Sequence, residues 1–209
     1  TCFNDMYFFP GAALEAVHAP ETQPDLGSPA RTRLAFDELL ANQLALALHR
    51  RRQRRQPGRS LPVESDLARR AEASLPFRLT VSQGRALTDI RADLASGSRM
   101  LRLMQGDVGS GKTVVSLMAM LEVVASGAQA VLMAPTELLA RQHLATIGPF
   151  AAAVGVRTAL LTGRERGRPR AEVLAGLADG TIPIAVGTHA LFQDDVVYAD
   201  LAFTVVDEQ

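Results

Sequence analysis

A glycine-rich stretch, QGDVGSGKTVV at residues 105–115, restricts the possible folds of this chain more than any other feature. Residues 106–113 match the pattern G-x-x-x-x-G-K-T, a loop whose backbone N–H groups surround phosphate oxygens when it joins a strand to a helix. The apolar run at 100–105 predicts that strand, and residues 112–126 predict the helix. The stretch therefore predicts a strand–loop–helix unit that binds the phosphates of a nucleotide.

Each position of the loop has an expected role. Four residues are expected to surround the phosphates: Gly106, Gly109, Ser110 and Gly111. Lys112 is expected to reach the β- and γ-phosphates, and the Thr113 hydroxyl to bind Mg²⁺. Lys112 is also the only lysine among 22 basic residues. A typical GTPase is therefore not expected, because its guanine-binding N-K-x-D motif needs a second lysine.

From Phe77 onward, apolar runs alternate with helical stretches. Strands are predicted at 100–105, 130–135, 156–163, 183–188 and 202–208. Helices are predicted near 82–95, 112–126, 137–152 and 169–178. Strands that alternate with helices form a parallel sheet covered on both faces, so the fold class is α/β. Ligands of such sheets bind beyond the carboxyl ends of the strands.

The segments before this domain are of a different kind. Residues 1–30 contain many Pro and Gly residues and are expected to be an irregular lead-in, either the end of a missing domain or an artefact. Residues 31–75 are expected to be a helical linker, with one helix over 31–55 and a short one near 65–73. The domain proper is expected at 76–209, cut off at its last acidic motif.

Composition excludes several classes of protein. The 22 acidic and 22 basic residues balance, so overall charge does not indicate a nucleic-acid-binding protein. One cysteine permits neither a disulfide framework nor a cysteine-based metal site. The sequence contains neither a signal-peptide pattern nor an apolar run long enough to span a bilayer. A cytoplasmic protein that does not enter membranes is therefore expected.

The chain closes on TVVDEQ, an apolar run followed by an acidic pair. Such a pair at a strand end, following a phosphate-binding loop in the chain, is typical of a Walker B motif. Asp207 is then expected to hold Mg²⁺, and Glu208 to act as the general base that polarises the attacking water.

Residues at other strand ends also have candidate roles. In LPFRLTVSQ, Phe77 is suited to stack on adenine and Gln83 to hydrogen-bond its N6 and N7 edge, although Thr80 or Ser82 as a helix cap explains the same pattern. Small and hydroxyl residues follow three further strands and are expected to lie along a nucleic-acid backbone: Thr136, Thr162, Gly163, Thr188 and His189. Thr136 is equally well explained as a helix cap, and His143 is expected to be solvated.

Two arginine-rich stretches allow two interpretations each. HRRRQRRQPGR at 49–59 and GRERGRPR at 163–170 are either solvated segments or surfaces that contact nucleic acid.

Taken in order, LPFRLTVSQ, LMQGDVGSGKT, LMAPTELLARQH, LLTG and VGTHALFQDDVVYADLAFTVVDEQ closely resemble the first motor domain of the RecG family, which are superfamily 2 ATP-dependent DNA helicases. The similarity is expected from about residue 31 to 209, with residues 1–25 matching poorly. The translocases Mfd and PriA share these motifs less uniformly, and the ending DEQ favours RecG. The resemblance implies a RecA-like P-loop NTPase domain that uses ATP and Mg²⁺.

The resemblance also implies a monomeric translocase on branched double-stranded DNA, which remodels stalled forks and Holliday junctions. In this family a second motor domain supplies arginines that complete the ATP site, and this sequence stops before it. The isolated chain is therefore expected to bind ATP–Mg²⁺ weakly, to hydrolyse little and to unwind nothing. A Mfd- or PriA-like translocase, a nucleotide-dependent switch and a non-motor DNA-binding remnant remain the alternatives.

Overall fold

The computed structural model describes residues 10–19, 28–54, 57–107 and 109–207. The chain divides into two units, Thr1–Gln56 and Pro57–Gln209. The first contains helices α1 (Pro10–His18) and α2 (Pro29–Arg54), which pack against each other. Helix α2 confirms the predicted long helix, whereas α1 lies in a segment that the sequence predicts as irregular. Pro10 occupies its first position, where proline fits a helix because no backbone N–H is needed there.

Helix α2 carries more apolar surface than α1 covers. Six of its large apolar side chains are between 44% and 64% exposed: Phe36, Leu39, Leu40, Leu44, Leu46 and Leu48. Phe36, Leu40, Leu44 and Leu48 recur every four residues, and Leu39 and Leu46 lie to one side of this row, so the exposed apolar side chains form one broad face.

The second unit is a four-stranded parallel sheet between helices. Its elements are α3 (Asp66–Ala73), α4 (Val81–Ala95), α5 (Lys112–Ala125), β1 (Gln129–Met133), α6 (Glu137–Ala153), β2 (Thr158–Leu161), α7 (Gly167–Ala178), β3 (Ile184–Gly187), a 3-10 helix (His189–Phe192) and β4 (Leu201–Val206). The strand order is β2-β3-β1-β4. The α/β class and parallel sheet predicted from the sequence are confirmed.

The two faces of the sheet are buried in separate cores. Ala130 and Leu132 of β1 point to the core formed with α3, α4, α5 and α6, whereas Val131 between them points to the core that includes α7. Helix α5 is buried nearly throughout, since it lies against the sheet on one side and against α3, α4 and α6 on the other. This placement fixes its first residue, Lys112, at the carboxyl edge of the sheet.

The strand predicted at 100–105 is wrong. Residues 99–107 form neither strand nor helix, and Leu101 and Leu103 are 79% and 84% exposed. Met100 and Met104 do pack against the core, so part of the apolar run is buried without forming a strand. A strand also needs a neighbour to hydrogen-bond, and among the described residues the four strands pair only with one another, so residues 100–105 have no partner in the sheet.

A buried ion pair joins three helices of this unit. Glu122 of α5 is fully buried, and its Oε1 accepts a hydrogen bond from Arg91 Nε of α4 at 2.7 Å. Its Oε2 accepts from the backbone N–H of Ser65, the N-cap of α3, at 2.8 Å. Both carboxylate oxygens are therefore satisfied inside the core.

No helix among the described residues is both long and apolar enough to cross a membrane.

Candidate functional site

The carboxyl ends of the four parallel strands bring the predicted motifs to one edge of the sheet. Thr162 follows β2, Thr188 follows β3, Thr136 lies three residues beyond β1, and Asp207 follows β4. Backbone hydrogen bonds continue past the strands at this edge, from Asp207 N to Met133 O at 2.9 Å and from Ala134 N to Gly187 O at 2.8 Å. The edge is where ligands of such sheets bind.

The phosphate loop lies at the N-terminus of α5. Gly111 is the N-cap residue and has φ 84°, a conformation that glycine adopts without strain. A side chain there would overlap the amide nitrogen of Gln83, and a Cβ at Gly106 would come within 2.8 Å of Ser110 Oγ. Lys112 Nζ donates to the carbonyls of Gly106 and Asp107, at 2.6 and 2.9 Å. The loop is thus folded closely around the ammonium group.

Gln83 connects the loop to the start of α4. Its Oε1 accepts from Thr80 N at 2.8 Å, and Thr80 Oγ1 accepts from Gln83 N at 3.2 Å. This capping box confirms Thr80 as the helix cap. Gln83 Nε2 donates to the carbonyl of Ser110 in the phosphate loop at 2.8 Å. Whether Gln83 also binds adenine stays a prediction.

Phe77 is 46% exposed and lines a shallow depression of about 550 Å³. The other lining residues are Arg69, Glu72, Ala73, Arg78 and Leu79. An exposed aromatic ring beside guanidinium groups offers a surface on which a planar base can stack. The adenine contact of Phe77 stays a prediction.

His143 joins the two side chains that are predicted to bind Mg²⁺. Its Nε2 lies 2.6 Å from Asp207 Oδ2, and its Nδ1 lies 3.4 Å from Thr113 Oγ1. The side chain is only 14% exposed, so the prediction of a solvated histidine is wrong. The spacing in the sequence could have indicated this position. His143 follows Thr136, the N-cap of α6, by seven residues or about two helical turns, and therefore lies on the same face of the helix. Glu208 lies outside the described residues.

The residues predicted to follow a nucleic-acid backbone differ in exposure. Thr136 is exposed and caps α6, its hydroxyl accepting from Leu139 N at 3.3 Å. Gly163 and His189 are exposed, whereas Thr162 and Thr188 are buried. The structure therefore brings all five to one edge, but it presents only three of them to solvent. Their contacts with nucleic acid stay predictions.

Thr162 instead organises the loop after β2. Its backbone N–H and its hydroxyl each donate to Glu165 Oε2 at 2.6 Å. Burial raises the pKa of Glu165, whereas these two hydrogen bonds and the positive charge of Arg141 lower it. The lowering effects are larger together, so the pKa of Glu165 lies below its ordinary value of 4.5. Arg141 also pairs with Glu137 in the first turn of α6. The carboxylate of Glu165 thereby links the β2 loop to α6.

The arginines of residues 163–170 are largely engaged with acidic neighbours. Arg164 pairs with Glu137, Arg168 with Glu172, and Arg170 with Asp195. Arg164 and Arg168 remain 83% and 91% exposed, so their pairs are weak and open to exchange.

Residues 80–209 match the family model described as DEAD/DEAH box helicase. This match covers more than half of the chain. The chain belongs to the DEAD/DEAH box helicase family. The phosphate loop, the Asp207 motif and the parallel sheet described above all fall within the matched residues.

This helicase domain is similar to curated proteins named ATP-dependent DNA helicase RecG. The protein of Haemophilus influenzae is 39% identical over 215 residues, which cover 99% of this chain and 31% of the relative. That of Bacillus subtilis is 44% identical over 198 residues, covering 94% of this chain and 29% of the relative. The chain thus spans about a third of the length of the curated relatives it matches. The predicted resemblance to RecG is confirmed.

A solved structure described as RecG bound to a three-way DNA junction matches with a TM-score of 0.78 and 40% identity, over 87% of this chain and 25% of that one. This similarity confirms the predicted RecA-like fold. The sequence predicts that residues 1–25 match the family poorly, and this stays a prediction. The alignment with the Haemophilus influenzae protein covers 99% of the chain and so includes most of them.

Proposed function

We propose that the chain is the ATP-binding first motor domain of a RecG-type DNA helicase. The full-length protein would use ATP and Mg²⁺ to move along branched double-stranded DNA, and would remodel stalled replication forks and Holliday junctions in the cytoplasm. We propose further that it acts as a monomer.

One observation carries the proposal. Lys112 and Thr113 at the start of α5 and Asp207 after β4 are far apart in sequence, yet His143 contacts both Thr113 and Asp207. A hydroxyl and a carboxylate are the oxygen ligands that Mg²⁺ prefers. The N-terminus of α5 adds backbone N–H groups, and Lys112 adds an ammonium group. Together with the Thr113 hydroxyl and the Asp207 carboxylate, these groups fit a nucleoside triphosphate with its magnesium ion.

Individual residues of this chain would have separate roles in ATP binding and hydrolysis. ATP would supply the phosphate bond that is cleaved, and Mg²⁺ would neutralise the negative charge of the phosphates. The Lys112 ammonium would exchange the carbonyls of Gly106 and Asp107 for phosphate oxygens. Gln83 would hold the loop through the Ser110 carbonyl. Asp207 and Thr113 would bind the metal, and Glu208 would act as general base.

Nucleotide binding is testable on the chain itself, with a fluorescent ATP analogue and Mg²⁺. A hydrogen bond to a charged group contributes about 1.5–3 kcal/mol, so Lys112→Ala is expected to weaken binding about 10- to 100-fold. Arg59→Ala is the matched control, because it removes an exposed cation that pairs with Asp200. Equal binding by wild type and Lys112→Ala would contradict the proposal.

DNA dependence separates the motor from its alternatives. A labelled three-way junction and a linear duplex of equal length are titrated with the chain, with and without the ATP analogue, at several salt concentrations. A motor domain is expected to prefer the junction and to respond to nucleotide. Salt-sensitive binding that persists in Lys112→Ala and ignores ATP would indicate a DNA-binding remnant. Nucleotide binding that is indifferent to DNA and to substitution of Thr136 or Thr188 would indicate a switch.

A further inference from the structure

His143 occupies a position that the P-loop and Walker B motifs do not account for. It comes from α6, while its two partners come from the start of α5 and the end of β4. The imidazole is mostly buried, at 14% exposure, and Asp207 is 24% exposed. A side chain held in this way by two elements has a restricted orientation.

The hydrogen-bonding roles follow from the chemistry of the partners. The Asp207 carboxylate can only accept, so the Nε2 atom at 2.6 Å must carry the proton that is shared with Oδ2. In the neutral ring Nδ1 is then an acceptor, and it faces the Thr113 hydroxyl. A hydroxyl has one donor and two lone pairs. Donation toward Nδ1 would therefore leave the Thr113 lone pairs available to a cation.

The same arrangement leaves one oxygen of Asp207 for other contacts. The hydrogen bond from Nε2 is made to Oδ2, and no hydrogen bond among the described residues is recorded to Oδ1. The imidazole holds one side of the carboxylate. The main chain of Asp207 is held by the hydrogen bond from its N–H to the carbonyl oxygen of Met133, at 2.9 Å. Its free oxygen would thus have a fixed position relative to Thr113.

We propose that His143 is a positioning residue for the metal–nucleotide complex, which holds the Asp207 carboxylate and the Thr113 hydroxyl in the orientation that binds Mg²⁺. This inference rests on the proposed function, since it needs a magnesium–nucleotide site at the edge of the sheet. His143 contacts neither nucleotide nor metal; it acts through its two partners. Residues in such outer positions typically change metal affinity about 10- to 100-fold when they are replaced.

The test measures the Mg²⁺ concentration that half-saturates binding of the fluorescent ATP analogue to the full chain. Wild type is compared with His143→Ala, His143→Gln, His143→Asn and Gln142→Ala. The glutamine amide nitrogen reaches the position of Nε2 and can donate to Asp207, whereas the asparagine nitrogen reaches only that of Nδ1. Gln142 is the exposed neighbour of His143 on α6 and serves as the matched control.

In His143→Ala the half-saturating Mg²⁺ concentration is expected to rise about 10- to 100-fold. His143→Gln should recover most of this loss, His143→Asn should not, and Gln142→Ala should equal wild type. Affinity for the analogue in excess EDTA should be the same in all variants, because the imidazole acts on the metal ligands. A loss that also appears in EDTA, with a lowered melting temperature, would show a merely structural role and overturn the inference.

Failure of the inference is distinguishable from failure of the proposed function. If wild type binds the analogue and Lys112→Ala does not, yet His143→Ala keeps or lowers the half-saturating Mg²⁺ concentration, the inference is overturned while the proposed function stands. A lowered value would mean that the imidazole competes with the metal for Asp207. If wild type and Lys112→Ala bind alike, the nucleotide site itself is refuted, and the inference with it.

Discussion

Replacement of Glu122 by leucine is expected to destabilise the core of the second unit strongly. The side chain is fully buried and ties Arg91 of α4 and Ser65 before α3 to α5. Glu122→Leu keeps about the same volume, so it creates little empty space. It does leave a guanidinium group and a backbone N–H without the acceptors that now satisfy them.

The magnitude follows from what is left behind. Breaking one half of a buried ion pair costs about 3–5 kcal/mol. Arg91 is 19% exposed and regains some water, which places the cost near the lower end. The orphaned N–H of Ser65 adds about 1–3 kcal/mol. A total of about 4–6 kcal/mol is therefore expected for Glu122→Leu. In the double variant Arg91→Met/Glu122→Leu only the Ser65 term should remain, so about 1–3 kcal/mol is expected.

Equilibrium urea unfolding followed by circular dichroism measures both variants, with Glu72→Leu as the control. Glu72 is a half-buried carboxylate of α3 that takes no part in this ion pair and lines the depression beside Phe77. A cost below about 1 kcal/mol for Glu122→Leu would refute the reasoning, because a surface pair contributes that little. So would a double variant that is less stable than the single one, since removing the second charge must relieve the first defect.

Two further substitutions test the links around the site. Gln83→Ala removes the contact with Ser110 and half of the capping box, so the unfolding free energy is expected to fall by about 0.5–2 kcal/mol. Binding of the ATP analogue is also expected to weaken, and unchanged binding would contradict the link between Gln83 and the phosphate loop. Glu165 has a pKa below 4.5 in the folded chain, so its stabilising contribution is present above about pH 4.5 and is lost as pH falls through the folded value. Glu165→Gln should therefore be less stable than wild type at neutral pH, with a difference that shrinks in thermal unfolding as the pH falls below 4.5. A difference independent of pH would contradict the role of its charge.

The sequence predicts most elements of the second unit because its signals are local. Alternation of apolar runs and helical stretches places β1 to β4 and α4 to α7 within a few residues of their observed bounds. The glycine pattern of the loop identifies the start of α5, since glycine adopts the φ of 84° at residue 111 without strain. Local rules suffice wherever one segment determines its own conformation.

The errors arise where a second segment decides the outcome. Residues 100–105 form an apolar run of strand length, but strand formation depends on pairing with another strand, which the run itself does not report. His143 looks like a surface residue of an amphipathic helix, and only the approach of Asp207 and Thr113 gives it partners. Thr162 is not among the errors, because its contact with nucleic acid stays a prediction, although its hydroxyl donates to Glu165 three positions later.

The position of β4 at the end of the strand order has a practical consequence for handling the protein. One side of β4 pairs with β1, and the described residues place no strand on its other side. An open strand edge is a template for another chain, and Val206 at its end is 37% exposed. Concentrated samples are therefore expected to associate by strand addition, and a charged residue at the exposed position of Thr204 is expected to reduce this association.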